Sequence, residues 1–117
     1  MKQHIRVLIA DDYLSSRDGL KALLATRLEI DIVGEAADGR EAIELVEECR
    51  PDVVLMDVRM PSMDGLEATR IIKDRWPEVK VIVLSMYSSY QAEALAAGVD
   101  VFLVKGCTTE DLFQAIL

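Results

Sequence analysis

The sequence predicts a single α/β domain with a doubly wound (βα)5 architecture, in which helices cover both faces of a five-stranded parallel sheet. Five short apolar runs of strand length alternate along the chain with segments whose apolar residues recur at helical spacing. Strands that are separated by helix-length crossovers have to run parallel. The length of 117 residues is that of one domain, and 51% hydrophobic residues are enough to build one core.

The first two strands are predicted over residues 5–10 and 30–36. The first run is almost wholly apolar, which is typical of a strand that is buried on both faces. A stripe of leucines at the spacing of one helical face predicts the helix between these strands. The stripe consists of Leu20, Leu23, Leu24 and Leu28.

The second helix and the third strand follow a turn at Asp38-Gly39. Pro51 ends this helix, because proline disfavours a helical conformation in the residue before it. Residues 53–56 are the third apolar run and form the third strand. The apolar face of the helix consists of Ala42, Leu45, Val46 and Cys49.

The third helix is predicted over residues 64–75, after a loop that contains Pro61. Asp64 caps this helix, because an aspartate side chain accepts hydrogen bonds from the free N–H groups of a first turn. Pro77 ends the helix. Residues 79–84 are the fourth strand.

The last two units begin with an alanine-rich, helix-prone segment over residues 88–97. Gly98 fits the position just past the end of that helix. Residues 101–104 are the fifth strand, and Thr108 or Thr109 caps the last helix.

Composition argues against several classes of function. A net charge of −8 disfavours a nucleic-acid-binding surface on this domain. Two cysteines without metal-binding spacing predict neither a disulfide framework nor a zinc site, and they favour a reducing compartment. The single histidine, His4, gives little support to a catalytic triad. No apolar run is long enough to span a bilayer, and Met1 leads almost directly into the first strand, which disfavours a secretory signal peptide.

Polar residues collect where the apolar runs end. The first run is followed by Asp11 and Asp12, the third by Asp57, the fourth by Ser85 and the fifth by Lys105. The carboxyl ends of parallel strands share one edge of a sheet, where such folds bind their ligands. Each residue alone has a simpler interpretation, as a helix cap or a solvated charge. That interpretation does not explain why four strand ends carry a chemically compatible set.

These polar residues are chemically suited to a phosphoryl-transfer site. Three carboxylates in one crevice repel one another unless a cation is present, and Mg²⁺ is the natural candidate because it prefers carboxylate and phosphate oxygens. A carboxylate can then attack phosphorus as a nucleophile. Lys105 can hold phosphoryl oxygens by its charge, and Ser85 can do so by a hydrogen bond. The residues of the crevice therefore indicate Mg²⁺-dependent transfer of a phosphoryl group to an aspartate.

With these residues in place, the sequence resembles the receiver domain of two-component response regulators over essentially the whole chain. The Asp57…Pro61…Asp64-Gly65 spacing is highly specific. The sequence of residues 33–39 and 65–69 is similar to that of the NarL/FixJ subfamily. The resemblance implies a flavodoxin-like fold and a cytoplasmic regulatory domain rather than an enzyme. The segments that carry it are residues 9–12, 55–65, 83–85 and 102–105.

The resemblance also implies roles in phosphorylation and switching. Asp57 is expected to accept the phosphoryl group from a phosphohistidine of a sensor histidine kinase, and Ser85 and Lys105 are expected to hold its oxygens. Phe102 matches the aromatic switch residue, whose side chain follows the hydroxyl of strand four inward. The surface of helix four, strand five and helix five then changes, and this surface contacts an output domain or a homodimer partner.

The implied metal is Mg²⁺. Asp12, Asp57 and the backbone carbonyl of Arg59 are expected to bind it directly, and Asp11 is expected to act largely through metal-bound water.

The implied output is transcription regulation, because NarL/FixJ members usually carry a C-terminal helix-turn-helix that binds DNA. DNA is then contacted only through that output domain, and no membrane partner is expected. The predicted last helix stops at Leu117 within its apolar stripe. This favours the first part of a longer protein, with residues 1–117 as its receiver domain, over a naturally short terminal helix.

Four positions depart from the family pattern. Ser85 stands where threonine is common, and Phe102 stands where tyrosine is common, so no hydroxyl anchors the inward state. Met86 is bulkier than the small residue that is usual there, and it either crowds the phosphoryl group or simply packs. Gly106 replaces a common proline and removes the preference for a cis peptide bond.

Two alternatives from other functional classes stay open at the level of sequence: a phosphatase, and a binding module that is either nucleotide-binding or independent of phosphate. A Mg²⁺-dependent phosphatase with an aspartate nucleophile usually carries a second aspartate two residues later, where this chain has Arg59. A nucleotide-binding module favours a glycine-rich loop after the first strand, where this chain has Asp11-Asp12. A phosphate-independent binding module is expected to have lost part of the polar set. Repeated turnover of a phosphate ester distinguishes an enzyme from a domain that is modified once.

Overall fold

Five parallel strands form one sheet in the computed structural model, which describes residues 4–117. The strands are β1 Ile5–Ala10, β2 Ile30–Ala36, β3 Val53–Asp57, β4 Lys80–Ser85 and β5 Val101–Val104. Their order across the sheet is β2-β1-β3-β4-β5, so the chain winds first toward one edge and then toward the other. This order confirms the predicted doubly wound (βα)5 fold.

Helices cover both faces of the sheet, and the buried residues divide into one cluster on each face. Val7 of β1 belongs to the cluster that contains Leu24 and Ile116. Its neighbour Leu8 belongs to the opposite cluster, which contains Ile72. This alternation follows from the period of two along a strand, with both faces buried. The helices are α1 Leu14–Leu24, α2 Gly39–Cys49, α3 Gly65–Arg75, α4 Gln91–Ala96 and α5 Thr109–Ile116.

Side chains cap three of the helices. Asp64 accepts a hydrogen bond from the N–H of Glu67 at 2.9 Å, which confirms the predicted start of α3. Thr108, rather than Thr109, caps α5. Asp38 caps α2 in the same way. These bonds satisfy N–H groups that a first helical turn leaves without a partner.

The first helix is shorter than the leucine stripe predicts. α1 ends at Leu24, and Leu28 is 91% exposed, so its assignment to the apolar face is wrong. The chain turns away from the helix at Thr26, whose N–H and hydroxyl both donate to the carbonyl of Leu23. None of the helices in residues 4–117 is long and apolar enough to cross a membrane. The first three residues, on which the signal-peptide argument partly rests, lie outside the described residues.

Two boundaries near the carboxyl edge also differ from prediction. The segment predicted as one helix over residues 88–97 contains a 3-10 turn at Ser88–Tyr90 before the six-residue α4. Gly98 follows α4 with φ +95°, as expected for a residue just past a helix. β4 lies one residue later than predicted, so Ser85 belongs to the sheet.

Candidate functional site

The predicted polar residues meet at the carboxyl edge of the sheet, around an open cleft of about 760 Å³. β1, β3 and β4 lie side by side, so their last residues come together near the centre of this edge. The cleft is lined by Asp12, Tyr13, Ser15, Ser16, Asp57, Arg59, Ser85, Met86, Tyr87 and Lys105.

Three carboxylates form a cluster at this edge. Asp11, Asp12 and Asp57 each have one carboxylate oxygen within 4.8 Å of the oxygens of the other two. Asp11 is buried, Asp57 is half-buried and Asp12 is exposed. Such a set of hard oxygen donors fits Mg²⁺ better than a softer metal ion.

Lys105 lies between two of these carboxylates. Its Nζ is 3.2 Å from Asp11 Oδ2 and 3.4 Å from Asp57 Oδ2. Its backbone N–H donates to the carbonyl of Ser85 at 2.7 Å, which fixes the residue just beyond the end of β5. Burial alone lowers the pKa of Lys105, but the charges of Asp57 and Asp11 outweigh burial and raise that pKa. The ammonium group is therefore a fixed positive charge at the base of the cleft.

Asp57 ends β3, and the backbone of the next residue holds its carboxylate. Its Oδ1 accepts a hydrogen bond from the N–H of Val58 at 2.8 Å. Its pKa is raised above the ordinary value, first by burial and further by the charge of Asp11, although Lys105 lowers it. The start of α3 packs closely against this residue. A Cβ on Gly65 would be only 2.9 Å from the carbonyl carbon of Asp57, so there is no room for a side chain at position 65.

Neither Asp11 nor Asp12, which follow β1, caps α1. The N-cap residue is Tyr13, which makes no side-chain capping bond, and Asp11 Oδ1 accepts the N–H of that residue at 2.9 Å. Burial is the largest influence on the pKa of Asp11 and raises it. The N–H of Tyr13, the hydroxyl of Ser16 and the charge of Lys105 outweigh burial and hold that pKa below its usual value. Asp11 is thus a buried carboxylate that stays ionised.

Ser85 does not cap a helix either. Its side-chain oxygen accepts the N–H of Tyr87 at 3.0 Å, within the loop that leads to α4. The residue is 2% exposed and lines the cleft. A hydroxyl that accepts one hydrogen bond can still donate another, so Ser85 is able to bind an anionic oxygen.

Two of the four positions that depart from the family pattern, Ser85 and Met86, line the cleft. Met86 is exposed, as is Arg59, which also lines the cleft. Phe102 is half-buried and packs against the cluster that contains Leu8 and Ile72. Gly106 has φ +97°, a conformation that proline cannot adopt, and residues 4–117 contain no cis peptide bond.

Some residues at the site do not follow from the strand ends, and Arg17 is the one among them that holds the backbone of the acidic pair. Arg17, on the first turns of α1, donates from Nη1 to the backbone carbonyl of Asp11 at 2.6 Å. In the sequence, the signal for Arg17 is that it follows the acidic pair closely. It lies less than two helical turns after the start of α1.

Comparison with known proteins shows the family to which this chain is similar. Residues 7–117 match the protein-family model described as the response regulator receiver domain. The transcriptional regulatory protein DegU of Brevibacillus brevis is 41% identical over 114 residues, which are 96% of this chain and 48% of DegU. The chain therefore spans about half the length of the curated relatives it matches.

Solved structures share the whole fold. The receiver domain of the putative response regulator NarL from Mycobacterium tuberculosis superposes with a TM-score of 0.91 at 32% identity, over 97% of this chain and 94% of that one. A CheX-CheY-BeF3-Mg complex from Borrelia burgdorferi gives a TM-score of 0.86 at 27% identity, over 96% and 86% of the two chains.

Proposed function

The chain belongs to the receiver domains of response regulators, of the NarL/FixJ type, and from this premise we propose that Asp57 is its phosphoacceptor. Receiver domains are phosphorylatable signalling switches. The observation that carries the proposal is the position of Asp57. Its half-buried carboxylate ends β3 at the cleft, with Oδ1 bound to the N–H of Val58 and Oδ2 3.4 Å from Lys105 Nζ.

The proposed reaction forms an acyl phosphate. A carboxylate oxygen of Asp57 bonds to the phosphorus of a phosphohistidine on a sensor kinase. The P–N bond breaks, and its electron pair returns to the imidazole ring. Water later hydrolyses the acyl phosphate, which releases inorganic phosphate and restores the carboxylate. The domain is then a regulatory protein that is modified once in each cycle, not an enzyme that acts on an external ester.

Lys105 and Ser85 complete the site for the phosphoryl group. The ammonium of Lys105 is already at the base of the cleft and supplies positive charge to the phosphoryl oxygens. The hydroxyl of Ser85 supplies a hydrogen bond. Because a phosphoryl group shifts a two-state element only by its different contacts in the two states, these two residues and Phe102 form the proposed switch.

Mg²⁺ is the proposed cofactor, held by the carboxylates of Asp12 and Asp57 and the backbone carbonyl of Arg59, with Asp11 acting through metal-bound water. The carboxylate cluster and its hard oxygen donors support this assignment. When bound, Mg²⁺ supplies positive charge that offsets the carboxylates and the phosphoryl oxygens. The match to a CheY complex that contains BeF3 and Mg gives independent support.

The proposed output is transcription regulation in the cytoplasm. DegU, of which this chain matches about half, is named a transcriptional regulatory protein. The surface of α4, β5 and α5 is the proposed contact for an output domain beyond residue 117 or for a second copy. DNA is contacted through that output domain, because the net charge of −8 disfavours contact by this one.

The first experiment is intact-mass spectrometry after incubation with a small acyl-phosphate donor, with and without Mg²⁺. We expect one phosphoryl adduct that needs Mg²⁺, is removed by hydroxylamine and is absent from Asp57→Asn. Asp74→Asn, an exposed aspartate of α3, is the matched control and is expected to be modified normally.

Three outcomes contradict the proposal. An adduct that persists in Asp57→Asn assigns the phosphoacceptor elsewhere. Absence of both an adduct and a response to BeF₃⁻ favours a phosphate-independent binding module. Repeated turnover of a phosphate ester instead favours a phosphatase, in spite of Arg59 at the position of its second acid.

A further inference from the structure

The turn that carries Asp11 and Asp12 is tied to α1 through a backbone carbonyl. The N–H of Asp11 donates to the carbonyl of Ala36 at 2.9 Å, where the pairing of β1 with β2 ends. The carbonyl of Asp11 then accepts Nη1 of Arg17 at 2.6 Å. Asp11 is 1% exposed, and a buried carbonyl requires a donor, so this bond determines how the peptide between the two aspartates is oriented.

Arg17 is itself held by Glu35 near the end of β2. Nε of Arg17 lies 3.2 Å from Glu35 Oε1, and Lys21 Nζ lies 2.9 Å from Oε2 of the same carboxylate. The Arg17 side chain is 15% exposed, so its guanidinium is largely removed from water and serves two acceptors at once. The hydrogen bond from Lys21, and that from Arg17, hold the pKa of Glu35 below its usual value against the effect of burial. Arg17 therefore joins the ends of β1 and β2.

We propose that Arg17 is a positioning residue for the metal site. It fixes the peptide between Asp11 and Asp12, and with it the direction in which both carboxylates leave the turn. This inference rests on the proposed function, in which Asp12 binds Mg²⁺ and Asp11 acts through metal-bound water. The remaining contacts of Asp11 depend on the same turn, since Oδ1 accepts the N–H of Tyr13 and Oδ2 faces Lys105.

The contact of Arg17 is indirect, so its loss is expected to weaken metal binding without removing a ligand. Without the guanidinium, the carbonyl of Asp11 has to turn toward water, and the carboxylates turn with it. Residues that orient metal ligands from behind typically change metal affinity by about 10- to 100-fold.

Arg17→Met and Lys21→Met are a matched pair of variants. Each removes one cation from Glu35, but only Arg17→Met also removes the donor to the carbonyl of Asp11. Binding of Mg²⁺ alone is measured by calorimetry, and exchange of the Tyr13 amide is measured by NMR without metal. We expect Arg17→Met to weaken Mg²⁺ binding by roughly ten-fold or more and to accelerate exchange of the Tyr13 amide. Lys21→Met is expected to leave both unchanged.

A second variant keeps the test decisive if Arg17→Met does not fold. Glu35→Gln retains the guanidinium but removes its charged partner, and we expect a smaller loss of Mg²⁺ affinity. Equal affinities in the parent, Arg17→Met and Lys21→Met would overturn the inference, as would an unchanged affinity in a folded Glu35→Gln if Arg17→Met is unfolded. A parent protein that binds no Mg²⁺ contradicts the proposed function instead. In that case the Tyr13 amide of metal-free Arg17→Met or Glu35→Gln still decides whether Arg17 positions the turn.

Discussion

At the scale of single residues, the pKa of Asp57 is subject to opposing influences that do not cancel. Burial raises its pKa most, the charge of Asp11 raises it further and Lys105 lowers it. The net pKa is raised, so the folded protein holds a proton on Asp57 more readily than the unfolded chain does. A carboxyl of this kind contributes stability below its unfolded-state pKa and loses that contribution as the pH rises through the folded-state pKa. The ionised carboxylate of Asp57, the proposed phosphoacceptor, therefore destabilises the metal-free fold at neutral pH.

Asp57→Asn is accordingly expected to stabilise the metal-free protein at pH 7. The gain should shrink as the pH falls toward the ordinary aspartate pKa of 3.8, because the native side chain is then neutral as well. Urea unfolding with a chelator, at pH 7 and pH 5, measures this difference. Asp74→Asn is the control, since exposed surface substitutions usually change stability by less than about 0.5 kcal/mol. A gain from Asp57→Asn that grows on acidification would contradict the electrostatic account.

Some residues of the site can be predicted from the sequence, and others cannot. Asp11, Asp57 and Lys105 are predictable because strand ends meet wherever strands are parallel, whatever the details of packing. Arg17 is not predictable in this way, since its long side chain reaches a backbone carbonyl whose direction depends on the finished turn. Leu28 fits the helical period but lies beyond the helix, because Thr26 turns the chain with two bonds that the period does not encode.

At the scale of elements, the start of α2 supports the loop that follows β3. The N–H of Gly39 donates to the carbonyl of Met63 at 2.9 Å. A Cβ on Gly39 would lie 2.5 Å from that oxygen and 3.0 Å from the carbonyl oxygen of Asp64. The glycine is therefore required by close approach of two backbones, not by an unusual φ.

Gly39→Ala is expected to destabilise the protein by about 1–3 kcal/mol, because the methyl group displaces the loop or the helix. Gly19→Ala, in α1, is the matched control. Nothing lies within 4 Å of a Cβ there, so the change should stabilise by up to about 1 kcal/mol through helix propensity. Thermal unfolding of the two variants measures both effects. A loss of similar size in both variants would contradict this account, because a Cβ at Gly19 meets no such contact and helix propensity favours alanine there.

The elements themselves follow from the sequence more closely than their ends do. Short apolar runs between segments of helical spacing identify all five strands. Such runs are largely apolar because a parallel sheet buries both faces of each strand. The start of α4 is different, since the helix-prone segment begins with a 3-10 turn at Ser88–Tyr90. Just before this turn, the Tyr87 N–H donates to the Ser85 side chain, a local contact that helix propensity does not contain.

At the scale of the whole molecule, Ser85 lies between the proposed phosphoryl site and the loop that leads to α4. Its oxygen accepts the N–H of Tyr87, and the ring of Tyr87 makes an edge-to-face contact with Tyr90 at 6.2 Å between centroids. Beyond this loop, Leu95 of α4 and Val104 of β5 are 58% and 38% exposed. The hydrogen bond from the Tyr87 N–H to Ser85 therefore ties the loop before α4 to a residue that lines the cleft.

That bond predicts where the response to phosphorylation starts. If the Ser85 hydroxyl moves to a phosphoryl oxygen, the Tyr87 N–H loses its acceptor, and its amide exchange should accelerate several-fold when BeF₃⁻ and Mg²⁺ are added. Ser85→Ala removes the acceptor permanently, so its Tyr87 amide should exchange rapidly with or without BeF₃⁻. The amide of Glu41, bonded to Asp38 at the start of α2, is an internal control and should not change. Exchange measured by NMR on the parent and on Ser85→Ala decides the matter, because a Tyr87 amide that becomes better protected with BeF₃⁻ means that Ser85 keeps its bond and that the surface is reached by another route.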